Sequence, residues 1–251
     1  MRNIKLTIEY DGTDFQGWQL QRQDLRTVQG EVEKALQVIF KKHIRLFGSG
    51  RTDSGVHALG QVAHFKIDSK IPTAEIVPAL NGNLPKDIAV LNAEEVDDQF
   101  HAQFSARRKT YRYTILYRSS RSALQRDFCL HIPYRLNVAL MRREATTLVG
   151  RRDFRSFMAS DPHLKMDPAD KNTIRTVYAF SIRRQGDCFH LDIEANGFLY
   201  KMVRNIVGTL LAIGSGKLPP GSMAGILKEK SRLAAGMTAP AKGLCLLRVR
   251  Y

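Results

Sequence analysis

The sequence predicts an α+β fold of two ferredoxin-like (βαββαβ-type) halves, joined around a mainly antiparallel sheet with helices on one face. Three observations carry this expectation. Strands with alternating polar and apolar residues recur along the chain, as they do when one sheet face lies on a core. Helical segments fall between them, so that the first hundred residues run strand, helix, strand, strand, helix, strand. The remainder repeats the idea with different residues, so the duplication lies in element order and not in literal sequence. The halves are expected at 1–100 and 101–251.

Each element has its own signal. Ile4, Leu6, Ile8 and Tyr10 alternate with Lys5, Thr7 and Glu9, which predicts a half-buried strand. Thr27 stands as a cap before Val28, Val32, Ala35, Leu36, Ile39 and Phe40, apolar at helical spacing. A glycine-rich loop follows, then a strand with Ala63, Phe65 and Ile67 on one face. Pro72-Thr73 opens a helix that stops near Asn81-Gly82, and a strand spans 88–96. In the second half Tyr111, Tyr113, Ile115 and Tyr117 line one face of a strand, and a helix covers 137–149. Strands at 174–184 and 188–195 lead into a long helix over 198–213, a short helix at 223–230 and a last strand at 244–251. The polar, Pro-broken stretch 160–171 is expected to be disordered.

Composition narrows the partner. Of 251 residues, 39 are Lys or Arg and 24 Asp or Glu, a net charge of +15. Such a field attracts polyanions, and nucleic acid leads because phosphate neutralisation releases counterions. No apolar run approaches the roughly 20 residues a spanning helix needs, so no membrane partner is expected. Cys129, Cys188 and Cys245 form neither a disulfide framework nor a zinc pair, so a reduced, cytoplasmic setting without a metal follows.

The residues that can carry chemistry centre on Gly48-Ser49-Gly50-Arg51-Thr52-Asp53-Ser54-Gly55-Val56-His57-Ala58. Glycines let a bulky ligand approach backbone, and Arg51 beside Asp53 favours an ionised carboxylate. The competing reading makes Asp53 a turn residue bonded to its own backbone. Ser54 and His57 invite a hydrolase reading, but there is no G-x-S-x-G elbow, and a structural role suits His57 better. No phosphate-loop or dinucleotide motif is present, so no cofactor is expected. Tyr111 lies on a strand among Arg107, Arg108, Lys109 and Arg112, a pattern that suits phosphate contact with base stacking. It equally suits a Tyr packed into a core. Arg204 falls at the edge of the stripe formed by Leu199, Val203, Ile206 and Leu210; it either snorkels to solvent or turns toward a carboxylate.

Six ordered motifs resemble the TruA family of tRNA pseudouridine synthases across nearly the whole chain. They are YDGTDFQGWQ (10–19), RTVQGE (26–31), GRTDSGVHA (50–58), FHAQFSA followed by YRY (100–106, 111–113), FLYKMVRNIVG (198–208) and the closing Gly243-Leu244 segment. The resemblance implies isomerisation of uridine to pseudouridine at positions 38, 39 and 40 of the tRNA anticodon arm, without cofactor or metal, by a homodimer. It implies Asp53 as nucleophile, Tyr111 stacked on the uracil and Arg204 paired with Asp53. Arg51 is implied to help displace the base or hold nearby backbone, and Leu244 to supply an apolar floor. Phe100, His101, Gln103, Phe104, Arg107, Arg108 and Lys109 are the expected RNA-binding set. Gln103 departs from the family's usual Arg, losing one phosphate contact while keeping a donor, and the segment 158–171 is longer and more charged than the family pattern. The alternative is a non-catalytic RNA-binding or RNA-folding protein on the same scaffold, which the charge and the Tyr-Arg strand allow without Asp53.

Overall fold

The computed structural model describes residues 1–21, 25–160 and 172–251. The fold is α+β, with mostly antiparallel strands and five α-helices among the described residues. The chain forms two compact units, Met1–Lys109 with Cys245–Tyr251, and Thr110–Leu244. The last strand therefore belongs with the first unit, although it is last in sequence. The expected disordered stretch 160–171 lies, from residue 161 on, outside the described residues.

In the first unit, β1 (Arg2–Tyr10), α1 (Val28–Phe40), β2 (Phe47–Gly48), β3 (His57–Ile67), α2 (Thr73–Asn81) and β4 (Ile88–Val96) follow in order. The strands lie β4-β1-β3-β2, each pair antiparallel, which is the ferredoxin-like order. Residues 245–250 of β10 (Leu244–Arg250) join β3 in parallel, Cys245 opposite His57 and Leu246 opposite Ala58. Ile4, Leu6, Ile8 and Tyr10 all face inward, as the alternation requires. They meet a core that also buries Val28, Val32 and Leu36 of α1 and Ile76 and Leu80 of α2. Each such side chain contributes about 1.5–3 kcal/mol. The Thr27 hydroxyl accepts from Gly30 N–H at 3.3 Å and so fixes where α1 begins.

The second unit holds β5 (Arg108–Tyr117, from Thr110 on), β6 (Leu130–Ile132), α3 (Val138–Thr146), β7 (Gly150–Asp153), β8 (Ile174–Gln185), β9 (Cys188–Ala195), α4 (Met202–Gly214) and α5 (Ser222–Glu229). Its strands lie β5-β9-β8-β7, with β6 beside β5. Thr110 with Glu194, Arg112 with Asp192 and Thr114 with His190 bridge β5 to β9, a descending series that marks an antiparallel pair. The helix expected from residue 198 starts four residues later. Lys201 is left-handed at φ 56°, which stops the helix from extending back through Phe198, and Leu199 is buried from a turn instead.

Candidate active site

The loop from β2 to β3 is held by the N-terminal motif, almost residue by residue. Trp18 N–H donates to Thr52 O at 3.1 Å, and the Tyr10 and Thr52 hydroxyls lie 2.7 Å apart in the interior. Burial pushes the Tyr10 phenol well above its usual range, so it is a neutral hydrogen-bonding group. On the far side of Asp53, Ser54 Oγ and Gly55 N both donate to Phe15 O, at 3.1 and 3.3 Å. Two glycines permit this fit: a Cβ at Gly12 would stand 2.0 Å from Val56 O, and one at Gly17 would stand 2.6 Å from Thr52 O. Gly17 also has φ +90°, where a side chain is strained. Asp53 is thus half-buried on backbone pinned at both neighbours.

Further contacts fix the loop's entry. Ser49 N–H donates to Val62 O at 2.7 Å and Ser49 Oγ to Gln61 Oε1 at 2.7 Å, while Gln61 Nε2 donates to Gly50 O at 3.0 Å. Lys109 Nζ donates to Ser49 O at 2.6 Å, so this cation holds loop backbone. Arg51 is exposed, with Nε 3.2 Å from Gln19 Oε1. His57 is buried, with Nδ1 3.0 Å from Gly12 N and 3.1 Å from Asp11 Oδ1; it pins the Asp11–Gly12 turn, a structural role. Burial favours the neutral Asp11 carboxyl, but hydrogen bonds from Thr13 and the nearby His57 outweigh it and hold Asp11 below the usual carboxylate range.

RTVQGE supports this wall from behind. Arg26 grips Asp87 with both terminal nitrogens, at 2.8 and 2.9 Å, and lies 4.2 Å from the Phe15 ring centroid. Gln29 Oε1 accepts from Gln19 Nε2 and Leu20 N, and Gln29 Nε2 donates to Glu33 Oε1 and Leu46 O. Tyr10, Trp18, Gln29 and Gln61 are therefore builders of the site that spacing alone did not mark as such. For Tyr10, Trp18 and Gln29 the only sequence signal is their place inside the motifs, and Gln61 has none.

In the second unit the backbone at 239–240 links the Tyr111 strand to the Arg204 helix. Arg204 Nε donates to Ala239 O at 2.8 Å, and Ala239 N–H returns a bond to Arg204 O at 3.1 Å. The next carbonyl, Pro240 O, accepts from Tyr113 Oη at 2.9 Å. Burial pushes the Tyr113 phenol up, and the Arg204 charge opposes this only in part. Tyr111, two residues earlier and so on the same strand face, is buried with its ring edge-on to Phe198 at 5.1 Å. Leu244 is buried at the end of the same run, after a 3-10 turn at Ala241–Gly243. Arg204 and Tyr113, the strand neighbour of Tyr111, thus share the 239–240 backbone in this unit, which also holds Leu244, while Asp53 and Arg51 share the loop of the other.

The long-range order of FLYKMVRNIVG has a local cause. Asn205 is fully buried; its Nδ2 donates to Phe157 O at 2.8 Å, and its Oδ1 accepts from Thr238 Oγ1 at 2.6 Å and Arg232 Nη2 at 3.1 Å. A Cβ at Gly208 would stand 1.7 Å from Met237 O. Asn205 and Gly208 seat the segment whose Ala239 carbonyl accepts from Arg204.

The expected RNA-binding residues divide. Phe104 is 78% exposed, and Gln103, Arg107 and Arg108 are also exposed. Phe100 packs on Tyr251 at 4.8 Å, and its carbonyl accepts from Asn3 Nδ2. His101 stacks on Phe104 at 4.3 Å. Among the described residues no cluster of His, Cys, Asp and Glu is arranged to hold a metal ion, and no helix is long and apolar enough to cross a membrane.

A family model for tRNA pseudouridine synthase matches residues 6–105 and 145–251. Asp53, Arg51, Arg204 and Leu244 fall inside the matched regions, and Tyr111 falls in the stretch between them. The chain is 46% identical to tRNA pseudouridine synthase A of Thermoanaerobacter sp. (strain X514) over 251 residues, covering both proteins completely. It is 46% identical to the enzyme of the same name from Caldicellulosiruptor bescii, again over the full length of both. With that of Bacillus licheniformis it shares 47% identity over 99% of this chain and 98% of the relative. On the matched length, the pinned carboxylate loop and the full-length relatives, the chain belongs to the tRNA pseudouridine synthase family, a family of isomerases.

Proposed function

We propose that this protein converts uridine to pseudouridine in tRNA, at positions 38, 39 and 40 of the anticodon arm, with Asp53 as the nucleophile. The observation that carries the reading is the Asp53 loop: one carboxylate on backbone fixed at Thr52 and Ser54, within a motif of the family. The reaction is an isomerisation. The N1–C1′ bond breaks, uracil turns, a C5–C1′ bond forms, the C5 proton leaves and N1 gains a proton. No net oxidation occurs and no atoms are gained, so side chains and substrate suffice. An ionised carboxylate supplies the electron pair the nucleotide needs as the glycosidic bond opens, and it is regenerated at the end.

The target base must leave its stack for this to happen. Tyr111 stacks on the displaced uracil, Leu244 gives an apolar floor, and Arg204 pairs with Asp53 to keep it ionised. Arg51 helps displace the base or hold its backbone. Exposed Gln103, Phe104, Arg107 and Arg108 contact the tRNA beyond the reacting nucleotide, and His101 supports Phe104; Phe100 and Lys109 belong to this set by ordering the strand and loop that carry it. The three free cysteines support a reducing, cytoplasmic setting, and the resemblance supports a homodimer. The test is incubation with tRNA tritiated at uridine C5, followed by mapping of the product. Tritium release with pseudouridine at 38–40 is expected; release with product only elsewhere, or no release, contradicts the reading.

A further inference from the structure

Beside the Asp53 loop the first unit carries an aromatic cluster that the chemistry above does not use. Phe104 stacks on His101, with centroids 4.3 Å apart and planes at 29°. His101 meets the buried His64 edge-on at 4.7 Å, and Phe47 of β2 stacks on His64 at 5.2 Å and 27°. Arg45 holds its guanidinium 5.1 Å from the Phe47 ring centroid. A wholly structural cluster would bury its outer rings, yet Phe104 is 78% and Phe47 37% exposed. Nor is Phe104 loosely placed. The backbone N–H groups of Gln103 and Phe104 both point at His101 Nδ1, at 3.2 and 3.4 Å, curling the chain so that the Phe104 ring lies flat on the imidazole.

The charge around the cluster selects its partner. Burial pushes His64 down to about 4 and lowers His101 as well, so the centre is uncharged at neutral pH. Arg45 places a cation at the Phe47 ring, and Lys41, Lys42, Arg107 and Arg108, each within a few residues of the cluster along the chain, are all exposed. Neutral aromatic faces beside such cations suit a nucleobase on its phosphodiester backbone. A second protein copy would have to bring anionic groups to those cations, and this chain carries +15. Phe47 precedes Asp53 by six residues, which at full extension span no more than about 20 Å. The cluster therefore lies within reach of the same RNA molecule as the reacting uridine.

We infer that the Phe47, His101 and Phe104 rings, rimmed by Arg45, form a stacking platform for an unpaired base of the bound RNA outside the reacting nucleotide. The inference rests on the reading that the partner is tRNA, and its test uses binding alone, so it stands or falls apart from turnover. Affinity for an unmodified tRNA transcript is measured for wild type, Phe104→Ala, Phe104→Leu and Phe104→Tyr, with sedimentation of each protein alone. Loss of one stacked base corresponds to affinity weakened about 5- to 150-fold for Phe104→Ala and Phe104→Leu, with Phe104→Tyr close to wild type. Transcripts carrying one abasic nucleotide at each unpaired position then locate the partner, since at one position the Ala variant should lose nothing further. Arg45→Ala should lower the slope of log affinity against log salt by about one, and Phe104→Ala should leave that slope alone. Wild-type affinity in Phe104→Leu, no abasic position that couples, or a changed sedimentation coefficient for Phe104→Ala would each overturn the platform, the last in favour of a protein interface.

Discussion

The two units hold their candidate side chains in different ways. In the first, Asp53 sits on a loop clamped by backbone hydrogen bonds to the 10–18 segment, which approaches closely because Gly12 and Gly17 have no Cβ. In the second, Arg204 sits on a regular helix and is held by a carbonyl of a coil segment, which is itself seated by Asn205 and Gly208. A loop has no ladder of its own, so its precision is imported from neighbouring chain. A helix already has its ladder, so only the charged tip needs capture. The first arrangement ties the placement of Asp53 to the stability of a whole motif, while the second leans on one buried amide to place Arg204.

The sharpest way to break that contrast is to put a methyl group at each close approach. Gly12→Ala drives a Cβ into Val56 O, on backbone fixed by the turn bond from Val56 N to Asp53 O and by β3 directly after it, so about 3 kcal/mol of stability is expected to go. Scanning calorimetry should show this as a fall in Tm of roughly 6–12 °C. Gly208→Ala meets Met237 O still closer, in a segment bonded at Gly236, Thr238 and Ala239, so a loss of similar size, about 3 kcal/mol, is expected. Equal losses in the two variants would show that the coil segment is as fixed as the loop. Asn205→Ala is next: it leaves Phe157 O without its buried donor and Thr238 and Arg232 without their acceptor. About 2–3 kcal/mol is expected, read by urea unfolding.

Acid offers a test confined to the first unit. Burial lowers His64 from 6.5 to about 4, so between these values the unfolded chain binds more protons than the folded one. His64 therefore costs nothing above pH 6.5, and stability falls as pH drops toward 4, by up to about 3 kcal/mol. His64→Gln should reduce that slope by the His64 share, while His101 and His190, also lowered by burial, keep theirs. Asp192 in the second unit behaves oppositely. Burial favours its neutral form, but hydrogen bonds from Arg112 and Arg183 outweigh burial and lower its pKa, so its contribution disappears only below the usual carboxylate range. The smallest effect expected is Thr27→Ala, which removes the α1 cap at a cost of about 1 kcal/mol in thermal unfolding.

Much of the fold was legible because its signals are local. Alternation marked β1, the Thr27 cap and apolar spacing marked α1, and β4 and β9 fall on the expected residues. Phe198, Leu199 and Tyr200 misled because apolar spacing continues through them, whereas the left-handed Lys201 that ends the helix has no residue signature. β2 is two residues long, and β6 and β7 are three and four, too short for any period to register. The return of β10 to the first unit is a long-range pairing that sequence order hides. At the candidate site, the loop that carries Asp53 was legible by its motif, but the wall behind it was not. Tyr10, Trp18 and Gln61 act through long-range hydrogen bonds to the Thr52 hydroxyl and to loop backbone that spacing along the chain does not encode.

The most direct test of the account compares wild type with Asp53→Asn, measuring tRNA binding and tritium release from C5-labelled uridine on the same samples. The amide keeps the shape of the loop and removes the charge. The account predicts binding within about twofold of wild type, as expected when only a side chain's reactivity is removed, with tritium release reduced to background. Sustained release by Asp53→Asn would contradict it.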